Sequence, residues 1–240
     1  MHKYNKAESP NFFRALKDEG IISYDEFIFL TSILRSSEEE FKIPFELMDT
    51  SKNGEIEVQE YDQFCSFARK SRKITNPPRN LLNETTLKAY FFGGPNFDQA
   101  LTFCKFGIFL QNFHLEIFDA EFKAFSGGQD VITATNFIRM ITKYTKLTIE
   151  EQNFMLSNVQ DQMVSYEDAL LFDQLLRNFE DLTVAMRFYT NAGNNIGLKE
   201  FKRAAKICLD GKNLPESISS IIFNMFPISG KVYLFYNMNH

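Results

Sequence analysis

The stretch Phe45–Tyr61, FELMDTSKNGEIEVQEY, sets Asp, Ser, Asn and three Glu into a dozen residues, with a glycine in the middle and an isoleucine shortly after it. The order carries more than the composition. A hard cation such as Ca²⁺ takes about six to eight oxygens, and a loop between two helices can supply them from alternate positions and a final bidentate glutamate. Counted from Asp49, those positions hold Asp49, Ser51, Asn53, Glu55, Glu57 and Glu60. Glu55 is expected to offer its backbone carbonyl, Glu57 to act through a water, and Glu60 to grip with both oxygens. The sixth position must turn with φ > 0, and Gly54 stands there. The eighth, Ile56, should point inward and pair in a short β-bridge with a neighbouring loop.

The flanks agree with a helix–loop–helix. Ser37 followed by Glu40 reads as a capping box for the entering helix. Phe41, Phe45 and Met48 share one face of it, and Val58, Tyr61, Phe64 and Ala68 make the apolar stripe of the exiting helix. Two features temper the site. Ser51 and Asn53 stand where tight sites often carry carboxylates, which points to an affinity of roughly micromolar or weaker. Pro44 falls inside the entering helix, which should therefore kink or start late.

An aliphatic at the eighth position with an aromatic five residues later recurs along the chain: Ile22 with Phe27, Leu101 with Phe106, Ile132 with Phe137, and Ile196 with Phe201. Val164 keeps the aliphatic, with Ala169 in the aromatic place. Spacing near one helix–loop–helix unit is the mark of a repeat array. The chemistry is lost in these copies. Their first and last positions hold Ala15 and Glu26, Gly94 and Lys105, Phe125 and Asn136, and Tyr189 and Glu200. Without a carboxylate at both ends they read as pseudo-EF-hands. The expected fold is all-α, in two lobes of paired units: residues 10–120 with the one competent loop, 49–60, and residues 121–240 as a pseudo-EF-hand lobe that reads as truncated. Between the second and third units, ARKSRKITNPPRNLLNET (68–85) reads as a polar linker, since its Pro77–Pro78 pair cannot continue a helix. Its basic residues offer a contact for an acidic partner or lipid headgroups, against the plainer reading of a solvated loop.

Composition bounds the function. With 44% hydrophobic and 24% charged residues the chain is an ordinary globular one, and its 27 Phe suit many helix–helix contacts. A net charge of -5 excludes a nucleic-acid binder that works through a strong basic field. Cys65, Cys104 and Cys208 form neither a disulfide framework nor a zinc site and are expected as buried free thiols. No phosphate-cradling loop, zinc motif or nucleophile signature points to an enzyme, and no catalytic residue is nominated. No apolar run is long enough to span a membrane, and the N-terminus carries no secretory or transit signal.

In order and spacing, GIISYDEFIFLTSIL (20–34), FKIPFELMDTSKNGEIEVQEY (41–61) and TLKAYFFGG (86–94), and more loosely VAMRFYTNAG (184–193) and IIFNMF (221–226), resemble the mitochondrial calcium uptake family, the EF-hand regulators of the calcium uniporter. The resemblance implies a Ca²⁺-sensing gatekeeper in the intermembrane space, at the inner-membrane surface, that pairs with a related EF-hand protein and acts on the uniporter complex. Family members usually carry a second competent loop after the segment matching IIFNMF. Here that loop reads PISGKVYLFYNM (227–238), with Pro227 first and Met238 last, a set that cannot bind calcium. Two other readings stay open: a calcium-independent scaffold of pseudo-EF-hands, and an accessory EF-hand domain of a larger protein.

Overall fold

The fold is that of a computed structural model, which describes residues 22–33, 41–71, 85–94, 96–145, 147–159, 162–191 and 197–225. The chain separates into two compact units, Met1–Ile117 and Phe118–His240. The described residues are mostly helical, and each unit carries one two-stranded β-bridge.

In the first unit, helix α1 (Tyr24–Ile33) is followed by α2 (Lys42–Met48), strand β1 (Glu55–Ile56) and α3 (Val58–Ser71). Then come α4 (Thr86–Phe92), β2 (Leu101–Thr102) and the start of the long helix α5 (Phe103–Ser126). β1 and β2 run antiparallel with Ile56 opposite Leu101 and Glu55 opposite Thr102. The paired residues are therefore the eighth positions of two loops, and both side chains are fully buried. Around them the phenylalanines close the core. Phe106 meets Phe29, Phe41, Phe45 and Phe91 with centroids 5.9–6.4 Å apart, within the range where ring pairs attract beyond their buried area. Along α5, Phe106, Phe109, Leu110 and Phe113 recur at helical spacing and point into this core.

The second unit repeats the scheme. β3 (Val131–Thr133) leads into α6 (Ala134–Thr142) and α7 (Ile149–Ser157). β4 (Met163–Ser165) leads into α8 (Tyr166–Arg177). Helices α9 (Phe179–Asn191), α10 (Leu198–Cys208) and α11 (Glu216–Met225) follow. β3 and β4 put Ile132 opposite Val164, again two eighth positions, both buried. The helices begin where local chemistry dictates: the hydroxyls of Thr133, Thr148 and Ser165 accept from the backbone N–H three residues on, and Thr148 with Glu151 completes a capping box.

Several expectations need correction. Ile22 and Phe27 are about half exposed, at 45% and 54%, because α1 turns Phe29, Leu30 and Ile33 into the core instead. Pro44 produces a late start: α2 begins at Lys42, so Pro44 lies in its first turn, where its missing N–H has no intrahelical acceptor to lose. The polar segment expected to begin at Ala68 is helical as far as Ser71. Of the three cysteines, all unbridged, only Cys65 is buried; Cys208 is half-buried and Cys104 exposed. The Ser37–Glu40 capping box, most of the basic linker, Ala15, Ile196 and the 227–238 loop lie outside the described residues. Among the described residues no helix is long and apolar enough to cross a membrane.

Candidate metal centre

The loop joining α2 to α3 is wrapped around its first residue. Asp49 Oδ1 accepts from the Asn53 N–H at 3.1 Å and the Ser51 hydroxyl at 3.3 Å, and Oδ2 accepts from the Gly54 N–H at 2.8 Å. That last bond needs the sharp turn at Gly54, whose φ is +85°. An added Cβ would meet no atom there, so the demand for glycine is conformational, not steric. Asn53 Oδ1 accepts from the Glu55 N–H at 2.9 Å, which directs the chain into β1. At the far end, Glu60 folds back. Its Oε2 accepts from the Glu57 N–H at 3.0 Å, at the start of α3, and its Oε1 accepts from the Ser51 N–H at 2.8 Å.

Ser51 is thus the meeting point of the two ends, touching Asp49 with its hydroxyl and Glu60 with its N–H. The structure brings Asp49, Ser51, Asn53 and Glu60 together. Glu55 and Glu57 contribute through the backbone; their side chains are exposed.

Asp49 and Glu60 are both buried, each 8% exposed, yet no ion pair among the described residues reaches either. Burial pushes the Glu60 carboxyl upward, but the N–H groups of Glu57 and Ser51 and the Ser51 hydroxyl outweigh it and, against the Asp49 charge, hold it below the usual carboxylate value. Two buried, mutually repelling carboxyl groups that no ion pair among the described residues reaches make an electrostatically incomplete site. Beside them stand the Ser51 hydroxyl, the Asn53 amide and backbone oxygens, with the Glu55 and Glu57 side chains turned outward, a donor set that suits a hard divalent cation. Among the described residues no three His, Cys, Asp or Glu side chains gather, so any such site depends on these neutral oxygens.

Three residues in the degenerate loops were not singled out from the sequence for what they do. Lys105 occupies the last position of the loop that faces Asp49–Glu60 across the bridge. Its ammonium donates to the Phe91 carbonyl at 2.9 Å and to Gln99 Oε1 at 3.3 Å. Asn136, last in its own loop, donates through Nδ2 to the carbonyl of Phe125, the first residue, at 3.1 Å. Glu26, last in the first loop, accepts from the Tyr61 hydroxyl at 3.2 Å, from the Thr85 hydroxyl and from the Ser23 N–H at 2.8 Å.

Helix–loop–helix units paired through their eighth positions, Ile56 with Leu101 and Ile132 with Val164, define an EF-hand array. No family model matches the chain. It is similar to human "Calcium uptake protein 2, mitochondrial", with 28% identity over 235 residues covering 91% of this chain. The crystal structure of EFHA2 in its Ca-binding state matches with a TM-score of 0.78 and 28% identity, over 91% of this chain and 73% of that one. EFHA2 in its apo state matches with 0.77 and 26%, over 97% and 77%. The two states match alike, so the likeness rests on the shared fold rather than on a metal state. The resemblance read from the sequence therefore stands: the chain is similar to the mitochondrial calcium uptake proteins. It spans about half (53%) of the length of the human relative it matches.

Proposed function

We propose that this protein is a calcium-responsive regulator without catalytic activity, related in role to the gatekeepers of the mitochondrial calcium uniporter. One observation carries the reading: Asp49 and Glu60, buried without a cationic partner among the described residues, close on Ser51 from the two ends of one loop. Asp49, Ser51, Asn53, Glu60 and the Glu55 carbonyl would hold the ion, with Glu57 acting through water. A bound Ca²⁺ supplies the positive charge that the two carboxylates lack. Glu60 belongs to α3 and Asp49 ends α2, so a shift in either carboxylate is transmitted to a helix. Ile56, paired with Leu101, carries it to the facing loop. The response would be a change in helix angle and in exposed apolar surface.

By relationship, the reading extends to mitochondrial location in the intermembrane space, pairing with a related EF-hand protein and action within the uniporter complex, at the inner-membrane surface. The name of the human relative, a mitochondrial calcium uptake protein, supports the mitochondrial location and the link to calcium uptake. The test is calorimetric. Calcium uptake by the chain, abolished by Glu60→Ala, is the expected result; no uptake that depends on Glu60 would overturn it.

A second reading, a calcium-independent scaffold, has its own support. Lys105 and Asn136 close their loops with hydrogen bonds and need no metal. Partner binding that is identical in calcium and in chelator would select it.

A further inference from the structure

Glu26 and Glu60 occupy the same last position in successive loops, each four residues after a loop isoleucine. Each uses Oε2 alike, accepting from the N–H three residues earlier, Ser23 at 2.8 Å and Glu57 at 3.0 Å. Their other oxygens part ways. Glu60 Oε1 stays in its own loop, on Ser51. Glu26 Oε1 reaches across to two hydroxyls, those of Tyr61 and Thr85, far along the chain.

Both hydroxyls sit at mechanically informative places. Tyr61 directly follows Glu60 on α3, so α3 cannot re-aim Glu60 without moving the Tyr61 hydroxyl. Its ring is buried against Phe29, Phe91 and Phe92, at 6.1, 5.9 and 5.5 Å. Thr85 also caps α4, accepting from the Lys88 N–H at 3.2 Å. One carboxylate oxygen therefore ties α1 to the start of α3 and the start of α4. Glu26 is 2% exposed, and its partners among the described residues are neutral donors. A buried carboxylate that loses such a donor pays its full desolvation cost.

We propose that the Glu26–Tyr61–Thr85 network is a latch that pins α3 in the arrangement seen here and so opposes cation uptake at Asp49–Glu60, a proposal that rests on the calcium reading of that loop. Glu26, which by sequence spacing ends a unit with Ala15 in its first position, is the internal partner of the helix that carries Glu60. A ligand shifts such an equilibrium only by its differential affinity, and the latch is present in one state and strained or broken in the other.

The experiment measures calcium binding by calorimetry and thermal melting in chelator, for the chain, Tyr61→Phe, Glu26→Gln and Thr85→Ser. Tyr61→Phe should melt lower in chelator and bind calcium about tenfold tighter, the size expected for one hydrogen bond to a charged acceptor. Glu26→Gln should move both readouts the same way, and decides the matter if Tyr61→Phe does not fold. Thr85→Ser keeps the hydroxyl and should leave both unchanged. A folded Tyr61→Phe that melts lower but binds calcium equally, or more weakly, overturns the latch and leaves the calcium site standing. Calcium uptake in Tyr61→Phe but not in the unaltered chain supports it. If neither takes up calcium, the calcium reading itself fails and the latch falls with it.

Discussion

Two loops face each other across the β1–β2 bridge, and they solve the same problem in different ways. The one from Asp49 to Glu60 gathers carboxylates, and no ion pair among the described residues reaches Asp49 or Glu60. The one from Gly94 to Lys105 ends in a lysine, and that ammonium turns inward onto the Phe91 carbonyl and Gln99. A helix end leaves carbonyls without partners, and a nearby cation satisfies them. Metal can do this reversibly; a lysine does it permanently. Asn136 repeats the permanent solution in the second unit with a neutral amide. The contrast explains how most of an EF-hand array can abandon metal without losing its shape: the closing contact is kept and only its donor is changed. On the calcium reading proposed above, the 49–60 loop would respond while paired through Ile56 with a loop already closed by Lys105.

The contrast breaks most severely at the bridge itself. Ile56 has no exposed surface and pairs with Leu101, also fully buried. Ile56→Ala should cost about 2–5 kcal/mol, as buried large-to-small changes do. Denaturant unfolding checks this. If the two loops are braced as described, calcium affinity falls in the same variant although no ligand has been touched. A variant that loses stability and keeps its affinity would mean that the loops act alone.

Lys105→Met tests the built-in cation. Part of the attraction is offset already, because burial lowers the Lys105 pKa. The net loss should therefore be modest, about 1 kcal/mol from the unpaired Phe91 carbonyl, and independent of calcium. Unfolding curves in calcium and in chelator should shift in parallel. A shift confined to one condition would mean that Lys105 serves the neighbouring metal site rather than its own loop.

How far could these loops be read from the chain alone? The shape of the 49–60 loop was legible because its bonds are local: every hydrogen bond that the Asp49 carboxylate accepts comes from within five residues. The bridging positions Ile56, Leu101, Ile132 and Val164 were legible because spacing alone marks them. The same spacing misled at Ile22 and Phe27, since it says nothing about which face of α1 meets the core. The sequence shows that the degenerate loops lack a carboxylate at one or both ends, but not how they close. The Lys105 acceptor lies 14 residues away, and those that fill Glu26 lie 35 and 59 residues away. Such contacts belong to tertiary structure, and no local pattern announces them.

The smallest expected effect is on acid stability, and it isolates the competent loop. The pKa of Glu60 is lowered in the folded protein, where burial and the Asp49 charge oppose it and the Glu57 and Ser51 N–H groups and Ser51 hydroxyl prevail. A carboxyl with a depressed folded value binds fewer protons folded than unfolded. Its stabilisation is complete above the ordinary carboxylate value, roughly pH 4.3, and disappears as the pH falls through the folded value. Other acids titrate in the same range, so the informative quantity is the difference between the chain and Glu60→Gln, measured in chelator by denaturant unfolding. That difference should be constant from neutrality to about pH 5 and should shrink below it. Lys105, whose ammonium stays protonated throughout this range, provides the control: Lys105→Met should differ from the chain by the same amount at every acidic pH. A Glu60→Gln difference equally flat would mean that the backbone N–H groups hold the amide as well as the carboxylate. The loop would then close without ionised Glu60, much as its neighbour closes on lysine, and the distinction between the two would reduce to Asp49.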